Sequence, residues 1–118
     1  MDIKPASIAM LMMVTFFLSA HHLVGHWITN GANNSKVYID FNGDGTFKVS
    51  TKDRVENQGR YEFYDDTISI SDKNCGEKIQ GIYKITFHTD DSASFKVVND
   101  PCVERAGEIN GGIIVRLK

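Results

Sequence analysis

Short segments of alternating apolar and polar residues, separated by turn residues, run through this chain from Gly25 almost to Lys118. Side chains of a strand point alternately to the two faces of a sheet, so this period of two predicts half-buried strands. The pattern gives about eight strands, and antiparallel strands joined by hairpins suit a closed barrel because closure leaves no exposed sheet edge. A sandwich of two sheets is the alternative.

Turn residues place the boundaries of these strands. Strands are expected at residues 24–29, 36–41, 46–51 and 113–117, in a hairpin starting at Gly59 and in a similar one starting at Gly81. Asn42 to Gly45 is expected to form a hairpin turn, because Asn and Gly tolerate positive φ. Residues 52–58 are interpreted as a polar connection.

The alternation of apolar and polar residues stops after Asp100. Val103, Ala106 and Ile109 lie at helical spacing and predict one short helix before the last strand. Asp100 is the expected N-cap, with Pro101 at the first helical position.

The first twenty residues differ from the rest. Residues 8–18 are apolar except for Thr15, and the small residues Ser19 and Ala20 precede a polar chain. This pattern predicts a signal peptide over residues 1–20, followed by one domain at 21–118 and a secreted or periplasmic location. A membrane anchor is the alternative, but a spanning helix needs roughly 20 apolar residues.

Two cysteines, Cys75 and Cys102, follow the leader. In an oxidising compartment one disulfide between them is the economical interpretation, and two separate buried thiols are the alternative. A bridge would close a loop of roughly 28 residues and stabilise a small domain by about 3–4 kcal/mol on the loop-entropy model.

Charge and motifs give no case for a nucleic-acid partner, a cofactor or an enzyme. The net charge is -2, which offers no basic surface for nucleic acid or an anionic membrane. The adjacent carboxylates at residues 65–66 and 90–91 are typical of tight turns. We therefore expect a non-enzymatic protein.

Two metal-binding motifs are matched only in part. Asp40-x-Asn42-x-Asp44-Gly45 matches half of an EF-hand loop, but position twelve is Thr51 and the flanks alternate like strands. His21 and His22 near a free amino terminus have the chemistry to bind copper or nickel. A turn and an unstructured terminus are the preferred interpretations, so no metal site is predicted.

Several short motifs resemble the small bacterial lipocalin-like domains of the calycin type. They are Gly25-x-Trp27, Phe41-Asn42-x-Asp44-Gly45-Thr46-Phe47, Gly59-x-Tyr61, and Asp100-x-Cys102-x-x-Arg105 after Gly81-x-Tyr83. The resemblance covers Leu23 to Lys118 and implies an up-and-down barrel that holds a small apolar ligand. It also implies that Trp27 packs at the closed end of the barrel under a basic residue, for which Arg116 is the candidate.

The expected inward-facing side chains include many rings, so we expect a mostly filled interior with a shallow apolar pocket at one mouth. The candidate ligand-binding residues are Tyr61, Phe63, Tyr83, Phe95 and Arg105. For Arg105, the preferred interpretation is an ion pair with Asp100 or Glu104, and the alternative is binding an anionic ligand head. The competing function is a protein-binding module or inhibitor that uses residues 31–35 or 52–58.

The disulfide interpretation is directly testable. We expect the unreduced protein to show no free thiols, and we expect reduction to lower the melting temperature because it releases the closed loop. A thiol assay that finds two free sulfhydryl groups would contradict the bridge.

Overall fold

Eight antiparallel strands form a closed barrel in the computed structural model, which describes residues 22–118. Neighbours around the barrel are neighbours along the chain, and the last strand pairs with the first. The strands are β1 (Gly25–Asn30), β2 (Lys36–Phe41), β3 (Thr46–Ser50), β4 (Val55–Tyr64), β5 (Thr67–Asp72), β6 (Gly76–Thr89), β7 (Ser92–Asn99) and β8 (Ile113–Arg116), with helix α1 (Val103–Ile109) between β7 and β8. The predicted all-β barrel with one helix before the last strand is confirmed. The predicted signal peptide lies outside the described residues.

The barrel has two different ends. The start of β1 and the turns β2–β3, β4–β5 and β6–β7 lie at one end, called here the tryptophan end because Trp27 lies nearest to it. The other turns and α1 lie at the opposite end, called the helix end. Among the described residues, no helix is long and apolar enough to cross a membrane.

The interior is filled by apolar and aromatic side chains, because alternate residues of every strand point inward. Phe41 and Tyr61 pack edge to face with their ring centroids 5.0 Å apart, and Phe63 contacts Phe87 in the same way. The buried hydrophobic residues are Leu23, Trp27, Phe41, Phe47, Tyr61, Phe63, Ile68, Ile70, Tyr83, Ile85, Ala93, Phe95 and Ile114. Burial of these rings agrees with the expected filled interior.

Hairpin chemistry accounts for the turns at the tryptophan end. The Asn42 amide donates to the Thr46 carbonyl at 2.9 Å, and Gly45 has a φ of +88°. A left-handed φ favours glycine, so the Asp-Gly sequence fixes this turn. The turn predicted at residues 42–45 is therefore confirmed.

Two local predictions are wrong. Strand β4 begins at Val55, so residues 55–58 are paired with β3 and not part of a polar connection. Helix α1 begins at Val103 with Cys102 as its N-cap, and Pro101 precedes the helix. The carboxylate of Asp100 is bonded to the Cys102 amide and to Arg105, so it does not cap the helix.

Replacing the buried indole tests the packing at the tryptophan end. We expect Trp27→Ala to lower the free energy of unfolding by about 3–5 kcal/mol, since it removes a fully buried aromatic side chain. Val103→Ala, at a side chain that is 81% exposed, is the control and should change stability by less than about 0.5 kcal/mol. Urea unfolding measures both, and a near-neutral Trp27→Ala would refute the core role of Trp27.

Candidate functional site: the helix end and the outer wall of the barrel

A buried arginine organises the helix end. The side chain of Arg105, on α1, is 4% exposed and its guanidinium lies between two carboxylates. Nε and Nη2 donate to the two carboxylate oxygens of Asp100 at 2.8 and 2.9 Å, and Nη1 donates to Asp72 at 3.1 Å. Nη2 also donates to the Ile79 carbonyl at 3.0 Å. A buried guanidinium is tolerated because its charge and its N–H groups are matched in this way.

The disulfide belongs to the same cluster. Cys75 and Cys102 are bonded to each other, which confirms the predicted pairing. The Cys75 amide donates to Asp72 at 2.8 Å, and the Cys102 amide donates to Asp100 at 2.9 Å. Each carboxylate therefore binds Arg105 on one side and a cysteine amide on the other. The disulfide, the ion pairs and the hydrogen bonds together fix α1 on the β5–β6 end of the barrel.

The hydroxyl of Tyr83 completes this cluster by donating to Asp100. The Arg105 guanidinium beside Asp100, with help from Tyr83 and the Cys102 amide, lowers the pKa of that carboxyl from 3.8 to about 2. Burial, followed by the neighbouring Asp100 carboxylate, raises the pKa of the Tyr83 hydroxyl. Gly81 lies beneath the cluster, where a Cβ atom would collide with the Asp100 carboxylate.

The structure does not gather the predicted ligand-binding residues in one accessible pocket. All five are buried, with at most 7% of each residue exposed. The Tyr61 hydroxyl donates at 2.7 Å to the Asn42 carbonyl at the tryptophan end, whereas Tyr83 and Arg105 meet at the helix end. The five predicted ligand-binding residues are Tyr61, Phe63, Tyr83, Phe95 and Arg105. Their binding of a ligand stays a prediction.

Arg116 closes the tryptophan end. Its guanidinium carbon lies 4.3 Å from the centroid of the Trp27 ring, within the range of a cation–π contact. The same guanidinium donates to the carbonyls of Val24 at 3.0 Å and His22 at 2.6 Å. A Cβ on Gly25 would lie 2.7 Å from Arg116 Nη1, and Gly25 also has a φ of +142°. Only glycine fits this close approach without strain.

An open groove on the outer wall is the feature that sequence reasoning missed. It crosses β2, β3, β4 and the β5–β6 end, and encloses about 510 Å³. Its lining residues are Asp40, Asn42, Thr46, Phe47, Lys48, Gln58, Gly59, Arg60, Lys73 and Glu77. The signal was present as outward polar positions on three strands, but these residues become neighbours only once the strand register is known.

Metal-binding geometry is absent from the described part of the chain, where no three His, Cys, Asp or Glu side chains are grouped to hold an ion. His26 Nδ1 lies 2.5 Å from Asp40, and Asp44 accepts hydrogen bonds from the amide and the hydroxyl of Thr46 at 3.0 and 2.6 Å. His21 lies outside the described residues.

Comparison with known proteins identifies no relative. No protein-family model, no curated protein and no solved structure matches this chain.

Removing the buried guanidinium tests the cluster at the helix end. We expect Arg105→Met to cost about 3–5 kcal/mol of folding free energy, because two buried carboxylates lose their partner. Arg54→Met is the matched control, since the Arg54 side chain is 76% exposed and pairs with Glu56 on the surface. Exposed pairs contribute little because solvent screens them, so equal losses in the two variants would contradict the role of Arg105.

The same cluster predicts an acid dependence. Since the folded-state pKa of Asp100 is lower than 3.8, its contribution to stability is fully present above about pH 4 and is lost as the pH falls toward 2. We expect Asp100→Asn to be less stable than the parent protein at pH 7 and to lose less further stability between pH 4 and pH 2. Urea unfolding across this range measures both, and parallel pH profiles would contradict the assignment.

Proposed function

We propose that this chain is an exported, lipocalin-like binding protein without catalytic activity, and that in its disulfide-bonded form it binds on the outer wall rather than inside the barrel. One observation carries the proposal: the interior is occupied by the protein's own side chains, whereas the outer wall offers an open groove of about 510 Å³. Small-molecule sites usually measure about 300–1,000 Å³.

Both ends of the barrel support this assignment. Arg116 covers Trp27 at one end, and α1 is fixed at the other by the disulfide and the Arg105 ion pairs. A ligand that enters the interior would first have to displace one of these buried arrangements. A ligand on the outer wall displaces neither of them.

Support for export and for a non-enzymatic role comes from separate features. The disulfide suits an oxidising compartment, and the leader pattern of residues 1–20 agrees with it. The paired carboxylates at residues 65–66 and 90–91 lie in hairpin turns, where Asp66 pairs with Lys84 and Asp91 with Lys118. Asp66 and Asp91 are thus engaged in surface ion pairs. Adjacent carboxylates in a tight turn are typical of turn chemistry, whereas an acid–base pair requires two carboxylates that face each other across a cleft.

A protein partner is the second candidate, favoured by an apolar stripe along β8 and its continuation. Ile113, Val115 and Leu117 are 55, 47 and 43% exposed. Val115 lies directly opposite Ile28 of β1, so the stripe continues onto the neighbouring strand. Exposed apolar patches of this kind mark interaction surfaces.

An apolar probe distinguishes interior from exterior binding. We expect saturating benzene to leave the melting temperature of the parent protein unchanged, because buried aromatic and aliphatic side chains occupy the interior. Phe95→Ala is the positive control: it should open an apolar cavity, and benzene bound there should raise its melting temperature. Phe95→Leu serves the same purpose if the alanine variant does not fold.

The proposal fails if the parent protein binds benzene saturably and the amide resonances of Tyr83 and Phe95 shift on titration. Native mass spectrometry of protein purified from its own host provides a second check. An apolar molecule retained through purification, with the same interior shifts on its removal, would overturn exterior binding.

A further inference from the structure

We propose that the outer groove binds a hydroxyl-bearing molecule with an oxyanion group, such as an acidic sugar carrying a carboxylate or a sulfate. The inference rests on the proposed outer-wall function and names the ligand class of that site. It is carried by two exposed cations, Arg60 and Lys73, which form no ion pair within residues 22–118 and line the same concave surface as neutral hydrogen-bonding side chains.

The groove floor is formed by closely packed backbone. At Gly59 on β4, an added Cβ would collide with the Ser71 carbonyl of β5, so the two strands approach each other there more closely than any larger residue permits. Register shifts at Val49/Ser50 and Ile70/Asp72 lie on either side. Bulges of this kind bend strands and increase their twist. We attribute the concave shape to this local bending.

Cations and anions in the groove do not balance. Asp40 is already bonded to His26 at 2.5 Å and lies 3.9 Å from Lys48. Within residues 22–118, the side chains of Arg60 and Lys73 form neither an ion pair nor a hydrogen bond. Glu77 contributes one further carboxylate to the lining. The lining therefore holds three cations, Lys48, Arg60 and Lys73, and two carboxylates. Asp44, beside the groove, acts on Arg60 through space without forming an ion pair.

The backbones of Arg60 and Lys73 lie close to each other on the outer wall. The Lys73 amide donates to the Gln58 carbonyl at 3.1 Å, which places Lys73 beside Gln58. Arg60 is two residues farther along β4 and on the same face. Diagonal neighbours in a sheet lie about 7–8 Å apart. The Arg60 guanidinium lies near Gly45 of the β2–β3 turn, so this exposed side chain has to reorient for both cations to bind one ligand. Arg60 offers a planar pair of donors for an oxyanion, and Lys73 offers a compact charge.

Hydrogen-bonding groups other than the two cations supply the second half of the recognition. Gln58, between Lys48 and Lys73 on the outer wall, presents an amide that both donates and accepts. Asp40 and Glu77 carry acceptor oxygens suited to hydroxyl groups. A purely apolar ligand would desolvate these groups without replacing their hydrogen bonds, which costs free energy. The combination favours a polar molecule that carries both an acid group and hydroxyls.

Matched pairs of probes test this class. Digalacturonate and its neutral dimethyl ester differ only in the carboxylates, and galactose 6-sulfate and galactose differ only in the sulfate. We expect at least one acidic probe to bind in low salt and to shift amide resonances of the groove residues. Its neutral counterpart should bind at least about tenfold more weakly, because charge-assisted hydrogen bonds to Arg60 and Lys73 are lost. The pair that binds identifies the acid group.

Charge-neutralising variants locate the interaction. Arg60→Gln and Lys73→Gln should each weaken binding of the acidic probe by at least about tenfold, with unchanged melting temperatures because both side chains are exposed. Lys96→Gln removes the same charge from exposed β7, outside the groove lining, and should leave Kd within about twofold since screening limits distant charges.

The outcomes separate this inference from the proposed function. Equal binding of acidic and neutral probes in the groove overturns the oxyanion class and leaves outer-wall binding intact. Resonance shifts confined to Trp27 and Tyr83 overturn both, because the ligand would then lie inside the barrel. Failure of all four probes to shift the groove residues, or equal weakening by Lys96→Gln, also overturns the oxyanion assignment.

Discussion

The pairing of β8 with β1 is the constraint on which the rest of the structure depends. Only two directly opposed residue pairs, Trp27 with Arg116 and Ile28 with Val115, define its register. Added contacts support this short ladder: the Thr29 hydroxyl donates to the Ile113 carbonyl at 2.7 Å, and Arg116 stacks on the indole beside it. Because the sheet closes here, every second side chain points into a narrow interior, and that interior becomes the hydrophobic core.

Because the interior is filled, a ligand would bind on the outer surface of the barrel. In a closed barrel of eight strands, the space is just sufficient for side chains or for one small ligand. Here the rings of Phe41, Tyr61, Tyr83 and Phe95 occupy it. The outer wall carries two other features: a polar groove lined by exposed cations on one side, and an apolar stripe along β8 on another.

Strict alternation made much of the fold predictable. Residues 36–41 and the hairpin turn after them follow the pattern closely, and β2 has the predicted bounds. The start of β4 was missed because Glu56 and Asn57 are both polar. The sequence therefore shows no alternation of apolar and polar residues there. The helix start was missed because Asp100, a good cap by residue type, is bound by Arg105 from a later turn. The groove could not be predicted, since Asp40, Lys48 and Gln58 become neighbours only through strand register.

The hydrogen bonds from the two cysteine amides to the carboxylates around Arg105 bear on how the disulfide forms. Asp72 and Asp100 hold the backbones of Cys75 and Cys102 on opposite sides of one guanidinium. These contacts do not involve the sulfur atoms, so in a folded, reduced chain they would still hold the two thiols side by side. Re-oxidation of the folded protein would then join two thiols that the ion pairs around one guanidinium already keep adjacent.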